Sequence, residues 1–163
     1  MPLEILNRPG KLSNAEAELV KMHAEAGYDL LKDSDFSWPV AEIVRQHHER
    51  IDGSGYPRGL KGQEILLEAR ILAVADVVDS MNSNRPYRAA LGLDAALDEI
   101  EDGKGTRYDA AAADACTRLI RSGRFAFDKA GAQSVAPLVR GSAARRFGLA
   151  PTPLQRIANG FRG

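Results

Sequence analysis

The sequence contains little cysteine, few aromatic residues and no long hydrophobic run. Cys116 is the single cysteine among 163 residues, so no internal disulfide can form, and neither a CxxC pair nor a Cys/His zinc spacing is present. These absences fit a reducing, cytoplasmic setting. No stretch approaches the roughly 18 apolar residues of a membrane-spanning helix. The first residues also lack the basic start and apolar run of a signal peptide, so no membrane association is expected.

The sequence also lacks net charge, because 22 basic residues balance 22 acidic ones. The balance is uneven along the chain: residues 124–163 contain seven basic residues and one acidic residue. A basic tail could bind nucleic acid. This tail is rich in Ala, Gly and Arg without interleaved aromatics, which favours a poorly ordered extension over nucleic-acid binding. We therefore predict a domain over residues 1–123 and a basic tail over residues 124–163.

The periodicity of the apolar residues predicts an all-α protein. Ser13 and Glu16 have the spacing of a capping box, Pro39 suits a first helical turn, and Asp109 suits an N-cap. No alternating strand pattern is convincing, so a single helical bundle is the simplest architecture. The predicted helices cover residues 14–32, a stretch from Pro39 through His48, and residues 64–82, 94–102 and 109–122.

Polar side chains stand on the apolar faces of these predicted helices. His23, His47 and His48 are the three histidines of the protein, and Asp76 lies in a helix of Leu, Ile, Val and Ala. Buried imidazoles need partners at both ring nitrogens, and a buried carboxylate needs a cation. Together the four residues could hold Fe, Mn, Zn or Ni. The alternative is that each of them makes its own hydrogen bonds within the core.

A loop rich in glycine follows the histidine pair and contains Tyr56. Its glycines at positions 53, 55 and 59 would let backbone N–H groups approach an anion, although such loops are commonly plain turns. Arg85 and Arg88 stand three residues apart in a turn after the Asp76 helix. They could bind a phosphate or form surface salt bridges.

These motifs together resemble a known family. The segment HHERIDGSGYP, residues 47–57, resembles the signature of HD-GYP domains, which are bacterial phosphodiesterases of the HD metal-phosphohydrolase superfamily that hydrolyse cyclic di-GMP. The resemblance extends from about residue 2 to residue 121. It includes EILNRPGKL at residues 4–12, VKMH at 20–23, ADVVD at 75–79 and RPYR at 85–88.

The resemblance implies a bundle of the HD-superfamily type and a set of site residues. It makes His23, His47, His48 and Asp76 ligands of an iron or manganese centre of two or three ions, with His48 and Asp76 central to catalysis. It places Tyr56 at the border of the site or of a partner surface. It also places two arginines on the phosphates and guanine of the dinucleotide, namely Arg85 and Arg88.

The same resemblance implies a function and leaves an alternative. The expected reaction is metal-dependent hydrolysis of cyclic di-GMP to pGpG and GMP in second-messenger signalling. In the family, a helix with a His-Asp pair precedes the segment that matches residues 2–12. Its absence here predicts an N-terminally truncated bundle with one metal ion, and exposed apolar surface that favours a homodimer. The alternative is a catalytically incomplete module that binds cyclic di-GMP or docks a diguanylate cyclase domain.

Overall fold

The computed structural model describes residues 12–84 and 89–127, and this part of the chain is helical. The all-α prediction is confirmed, because no strand forms among these residues beyond one isolated bridge between Lys104 and Tyr108. The helices are α1 (Asn14–Lys21), α2 (His23–Leu31), α3 (Val40–Gln46), α4 (Leu67–Asn82), α5 (Leu93–Asp102) and α6 (Ala110–Arg121), with a 3₁₀ turn at Gly62–Glu64.

The predicted first helix is in fact two helices that meet at Met22. The capping box at its start is confirmed: Glu16 N–H donates to Ser13 Oγ at 3.3 Å, and Ser13 N–H donates to Glu16 Oε2 at 2.8 Å. At Met22 the backbone takes φ −62° and ψ −14°, which ends α1, and α2 begins at His23. The prediction of one continuous helix to residue 32 is therefore wrong, because the helix is interrupted once, at Met22.

Helices α2 and α3 pack closely against each other. A Cβ atom at Gly27 would lie 2.7 Å from Val44 Cγ1, so glycine permits this approach of the two helices. The second predicted helix begins near Pro39 as expected but ends at Gln46. His47 and His48 therefore lie just beyond the helix and not within it.

Helix α4 is the centre of the bundle and contacts α3, α5 and α6. It buries four small or branched side chains, Ala69, Ala73, Val74 and Val78. Three larger apolar side chains of the same helix are exposed: Leu67, Ile71 and Leu72 retain 52%, 51% and 39% of their accessible surface. Leu67 and Ile71 line an open apolar groove of about 390 Å³ between α4 and α6.

Helix α6 is attached to α4 through Asp109. This residue is the predicted N-cap, and its Oδ1 accepts the Ala112 N–H at 3.0 Å. Its other oxygen accepts from Arg70 Nη1 at 2.6 Å, and the two side chains are 16% and 11% exposed. One carboxylate thus caps α6 and pairs with a cation of α4.

The chain divides into two compact units, Met1–Arg124 and Phe125–Gly163. The helices described above belong to the first unit. The predicted properties of the basic tail stay predictions, since residues 128–163 lie outside the described part. Among the described residues, no helix combines the length and apolar character needed to cross a membrane.

Candidate metal centre

The interruption between α1 and α2 sets the orientation of His23. A helix that ends leaves carbonyl oxygens of its last turn without an N–H partner from the next turn. The carbonyl oxygen of Val20, in the last turn of α1, lies 2.6 Å from His23 Nδ1. The ring of His23 is therefore anchored by a main-chain acceptor three residues earlier.

The end of α3 repeats this arrangement at His47. The carbonyl oxygen of Val44 lies 2.5 Å from His47 Nδ1, again three residues earlier. A carbonyl oxygen only accepts hydrogen bonds, so Nδ1 of both rings must carry the proton. In the neutral tautomer that this bond selects, the Nε2 atoms of His23 and His47 carry the lone pairs.

These two lone-pair nitrogens face each other across a short gap. His23 Nε2 lies 3.3 Å from His47 Nε2. Two imidazole nitrogens that share one ion at about 2.1 Å are about 3.0–3.4 Å apart at octahedral to tetrahedral angles. Two facing lone pairs repel each other, whereas a cation between them satisfies both. This donor pair fits a divalent metal ion.

His48 completes a cluster of three imidazoles. One ring nitrogen from each histidine lies within 4.8 Å of the others. The His48 ring centroid is 4.9 Å from that of His23 and 4.0 Å from that of His47. Burial, followed by the charges of His47, His23 and Arg50, lowers the pKa of His48 from 6.5 to about 3. The ring is therefore neutral at pH 7 and able to bind a metal.

Asp76 lies beside this cluster but is more exposed than the sequence suggested. Its Oδ2 is 3.8 Å from His48 Nδ1, and its side chain is 36% exposed. The expectation of a buried carboxylate is wrong, because Ile71, Leu72 and Ala75 on the same helix are also exposed. Because His48 is neutral, the two groups do not form an ion pair. The role of Asp76 as a metal ligand stays a prediction.

Tyr56 packs against the cluster through His48. The ring centroids of Tyr56 and His48 are 4.7 Å apart, and burial raises the pKa of the Tyr56 phenol. The Tyr56 N–H donates to the His48 carbonyl oxygen at 3.2 Å. A Cβ atom at Gly55 would lie 2.5 Å from both that oxygen and Glu49 Cα. Glycine is therefore required for the loop to return onto the histidines.

The backbone N–H groups of this loop bind groups of the protein itself. The sequence suggested that they approach an external anion. Instead, Glu49 accepts the Arg58 N–H at 2.7 Å and the Leu60 N–H at 3.0 Å, and it is only 2% exposed. The Gly53 N–H donates to the Arg50 carbonyl at 2.8 Å. An internal carboxylate thus binds two N–H groups of this loop.

Sequence reasoning did not identify Glu49 and Arg50 as site residues. Arg50 Nη1 donates to the Glu49 carbonyl at 2.9 Å, and its guanidinium lies 5.3 Å from the Tyr108 ring centroid. Their position directly after the histidine pair was the available signal. Arg85 and Arg88, the predicted phosphate-binding residues, lie outside the described residues.

Comparisons with known proteins agree with these features. A profile of the HD domain family matches residues 1–112. The chain is 47% identical over 120 residues to the cyclic di-GMP phosphodiesterase response regulator RpfG of Xanthomonas campestris, covering 72% of this chain and 32% of that protein. It is 43% identical over 123 residues to a cyclic di-GMP phosphodiesterase of Thermotoga maritima, covering 73% and 33%.

A third relative acts on a related nucleotide. The 3′3′-cGAMP-specific phosphodiesterase 3 of Vibrio cholerae is 44% identical over 106 residues, covering 64% of this chain and 23% of that protein. This chain therefore spans a third or less of the length of these relatives.

Solved structures show the same fold. The HDG"Y"P protein Bd1817 of Bdellovibrio bacteriovorus superposes with a TM-score of 0.57 at 21% identity, over 71% of this chain and 37% of that one. A cyclic GMP-AMP-specific phosphodiesterase of Vibrio cholerae superposes with a TM-score of 0.55 at 23% identity, over 75% and 32%. The resemblance seen in the motifs is confirmed, and the chain belongs to the HD domain family, with relatives of the HD-GYP type.

Proposed function

We propose that this chain takes part in the metal-dependent hydrolysis of cyclic di-GMP. The observation that carries the proposal is the pair of facing Nε2 atoms on His23 and His47, 3.3 Å apart and joined by His48 in one cluster. Relatives that are 47% and 43% identical to the chain over 120 and 123 aligned residues are named cyclic di-GMP phosphodiesterases. The proposed ligands are His23, His47, His48 and Asp76, and the proposed metal is iron or manganese.

The metal would supply the chemistry that a set of imidazoles cannot. When bound, a divalent ion polarises the phosphate and lowers the pKa of water, so that hydroxide is available as nucleophile. The chain's own contribution is to hold three imidazoles in fixed orientation, His23 and His47 through the Val20 and Val44 carbonyls and His48 through its burial. Asp76 would add negative charge beside His48.

The remaining proposed roles concern the nucleotide. Tyr56 covers one side of His48 and presents a ring next to the centre, where it can stack on a base and exclude water. The sequence motif supports Arg85 and Arg88 as phosphate-binding residues, because guanidinium groups bind phosphate in a bidentate manner. The products would be pGpG and, after a second cleavage, GMP.

The proposal is tested with the chain purified anaerobically and loaded with Mn²⁺ or Fe²⁺. We expect metal-dependent release of pGpG from cyclic di-GMP, and a chelator should abolish it. We expect His48→Ala to weaken Mn²⁺ binding at least tenfold, since even groups that only support a ligand contribute about 10–100-fold. Lys32→Ala, which removes an exposed pair with Asp29 and a contact with the Tyr28 ring, is the matched control. Turnover that is indifferent to chelator would contradict the proposal, as would unchanged Mn²⁺ binding in His48→Ala.

The same assay distinguishes the substrate. Cyclic GMP-AMP is supplied in parallel, because one relative is named as specific for it. We expect cyclic di-GMP to be cleaved faster. Preferential cleavage of cyclic GMP-AMP would support phosphodiester hydrolysis as the reaction but contradict cyclic di-GMP as the substrate.

The second candidate function is a non-catalytic module. Among the described residues, the side chains grouped closely enough to hold a metal are three histidines, and this small ligand set motivates the alternative. Such a module would bind cyclic di-GMP without cleaving it, or dock a diguanylate cyclase domain through the loop around Tyr56. Calorimetry with cyclic di-GMP in the presence of Mn²⁺ separates the candidates, since binding without turnover supports the module. A cytoplasmic location is part of the proposal, and the single cysteine supports it.

A further inference from the structure

Glu49 is a buried charge whose position links the histidine cluster to the loop that follows. Its side chain is 2% exposed, although it belongs to a segment that carries charged residues on both sides. A buried carboxylate is costly unless hydrogen-bond donors satisfy it. Here the donors are the backbone N–H groups of Arg58 and Leu60, at 2.7 and 3.0 Å.

These two hydrogen bonds hold the loop in a closed conformation. The chain leaves Glu49, turns through Gly53 and Gly55, and returns so that residues 58 and 60 bond the carboxylate nine and eleven residues after it. Within this closed loop, Gly55 packs on the backbone of Glu49, and the Tyr56 N–H donates to the His48 carbonyl oxygen. Charge-assisted bonds of this kind are about twice as strong as neutral ones.

The closed loop places the Tyr56 side chain against His48. The two rings lie 4.7 Å apart between centroids, and Tyr56 is attached to the segment that Glu49 fixes at its far end. We propose that Glu49 is a positioning residue, which holds the loop closed so that Tyr56 packs against His48 and fixes the face of the metal centre. The inference rests on the proposed function only for its effect on turnover, because the packing of Tyr56 on His48 is measurable without metal.

The test observes the His48 ring protons by NMR in the metal-free chain with chelator present. A tyrosine ring at this distance shifts the resonances of its neighbour, and Tyr56→Leu defines the signal without that ring. The contribution of the Tyr56 ring is the difference between the His48 chemical shifts of the wild type and of Tyr56→Leu. We expect Glu49→Ala to lose most of this contribution. Glu49→Gln should lose part of it, because its amide NH₂ cannot accept one of the two N–H groups.

Glu64→Gln is the matched control. Glu64 also accepts a backbone N–H, from Lys61 at 2.7 Å, but it is exposed and closes only a local turn. We expect its His48 resonances to match those of the wild type. Circular dichroism establishes that each variant keeps its helices, and Glu49→Gln keeps the test available if Glu49→Ala does not fold.

Two results would overturn the proposal. One is that the folded Glu49→Gln and Glu49→Ala variants both keep the His48 chemical shift of the wild type. The other is that Glu64→Gln changes this chemical shift as much as the Glu49 variants do. If the wild type cleaves cyclic di-GMP, we further expect Glu49→Gln to raise KM more than it lowers kcat, as the substrate-facing ring becomes mobile. A chain that shows the NMR result but no turnover would contradict the proposed function and leave the role of Glu49 intact.

Discussion

At the scale of single residues, the hydrogen bond at one imidazole nitrogen decides what the other nitrogen can do. His23 and His47 use the same device, a carbonyl three residues earlier that a helix end leaves available. The sequence predicted that these residues act together. It did not predict the carbonyl partners, because a pattern of side chains carries no record of which main-chain acceptors a helix end exposes.

Asp76 and Glu49 both show that the sequence does not predict the burial of a single charged residue. The apolar composition around Asp76 suggested burial, yet the exposed side of α4 leaves this carboxylate 36% accessible. Glu49 is a charged residue just beyond the end of α3 and is almost fully buried. Burial depends on which elements cover a position, and that information comes from contacts between residues distant in sequence.

Gly55 provides a prediction at this scale. We expect Gly55→Ala to lower the free energy of unfolding by about 1–3 kcal/mol, because the new Cβ overlaps backbone atoms that cannot move aside as a side chain would. The measurement is urea denaturation followed by circular dichroism. Ser54→Ala, at an exposed position in the same loop, should lower the free energy of unfolding much less, because it removes only an exposed hydrogen bond with Asp52. Equal stability of Gly55→Ala and the wild type would contradict the close packing of this loop.

At the scale of elements, side-chain caps predicted two helix starts, whereas the end of α3 was missed. The caps at Ser13 and Asp109 were predicted because each depends on a side chain and an N–H group only three residues away. The end of α3 was missed because His47 and His48 continue the apolar spacing of the helix. Their rings instead turn to a carbonyl and to neighbouring imidazoles, which the spacing does not indicate.

The attachment of α6 to α4 gives a second prediction. We expect Asp109→Ala to lower the free energy of unfolding by about 2–4 kcal/mol, because it removes the N-cap and leaves the mostly buried Arg70 without its carboxylate. Asp109→Asn should lose less, since its amide oxygen still caps the helix. Both are measured by urea denaturation.

Asp114→Ala on the same helix is the control for this experiment. Asp114 pairs with Lys104 at an exposed position, and surface pairs contribute little to stability. We expect its unfolding midpoint to match that of the wild type. A loss in Asp114→Ala as large as that in Asp109→Ala would show that α6 is held by something other than the Asp109 contacts.

At the scale of the whole molecule, the fold class followed from the sequence because helical periodicity repeats over many residues and tolerates local error. The motifs identified the family for a similar reason, since they specify which side chains converge on one centre. What they did not specify is which surface of the bundle remains uncovered. One such surface is the part of α4 that carries Leu67, Ile71 and Leu72, next to the groove against α6.

The exposed side of α4 leads to a prediction about association. Contiguous apolar surface of this kind favours burial against another surface, and a second copy of the chain is always present in solution. We expect the sedimentation coefficient of the wild type to rise with protein concentration. Ile71→Glu should remain monomeric, because a carboxylate in the groove would lose its hydration on association. Ile71 is half exposed, so this substitution should leave the helices intact.

Leu30→Glu separates the groove from apolar exposure in general. Leu30 is 82% exposed on α2 and does not line the groove, so its variant should associate as the wild type does. Loss of association in Leu30→Glu but not in Ile71→Glu would assign the contact to another surface. A wild type that stays monomeric at all concentrations and melts in one cooperative, high-temperature transition would show that the bundle is stable with this side of α4 in water.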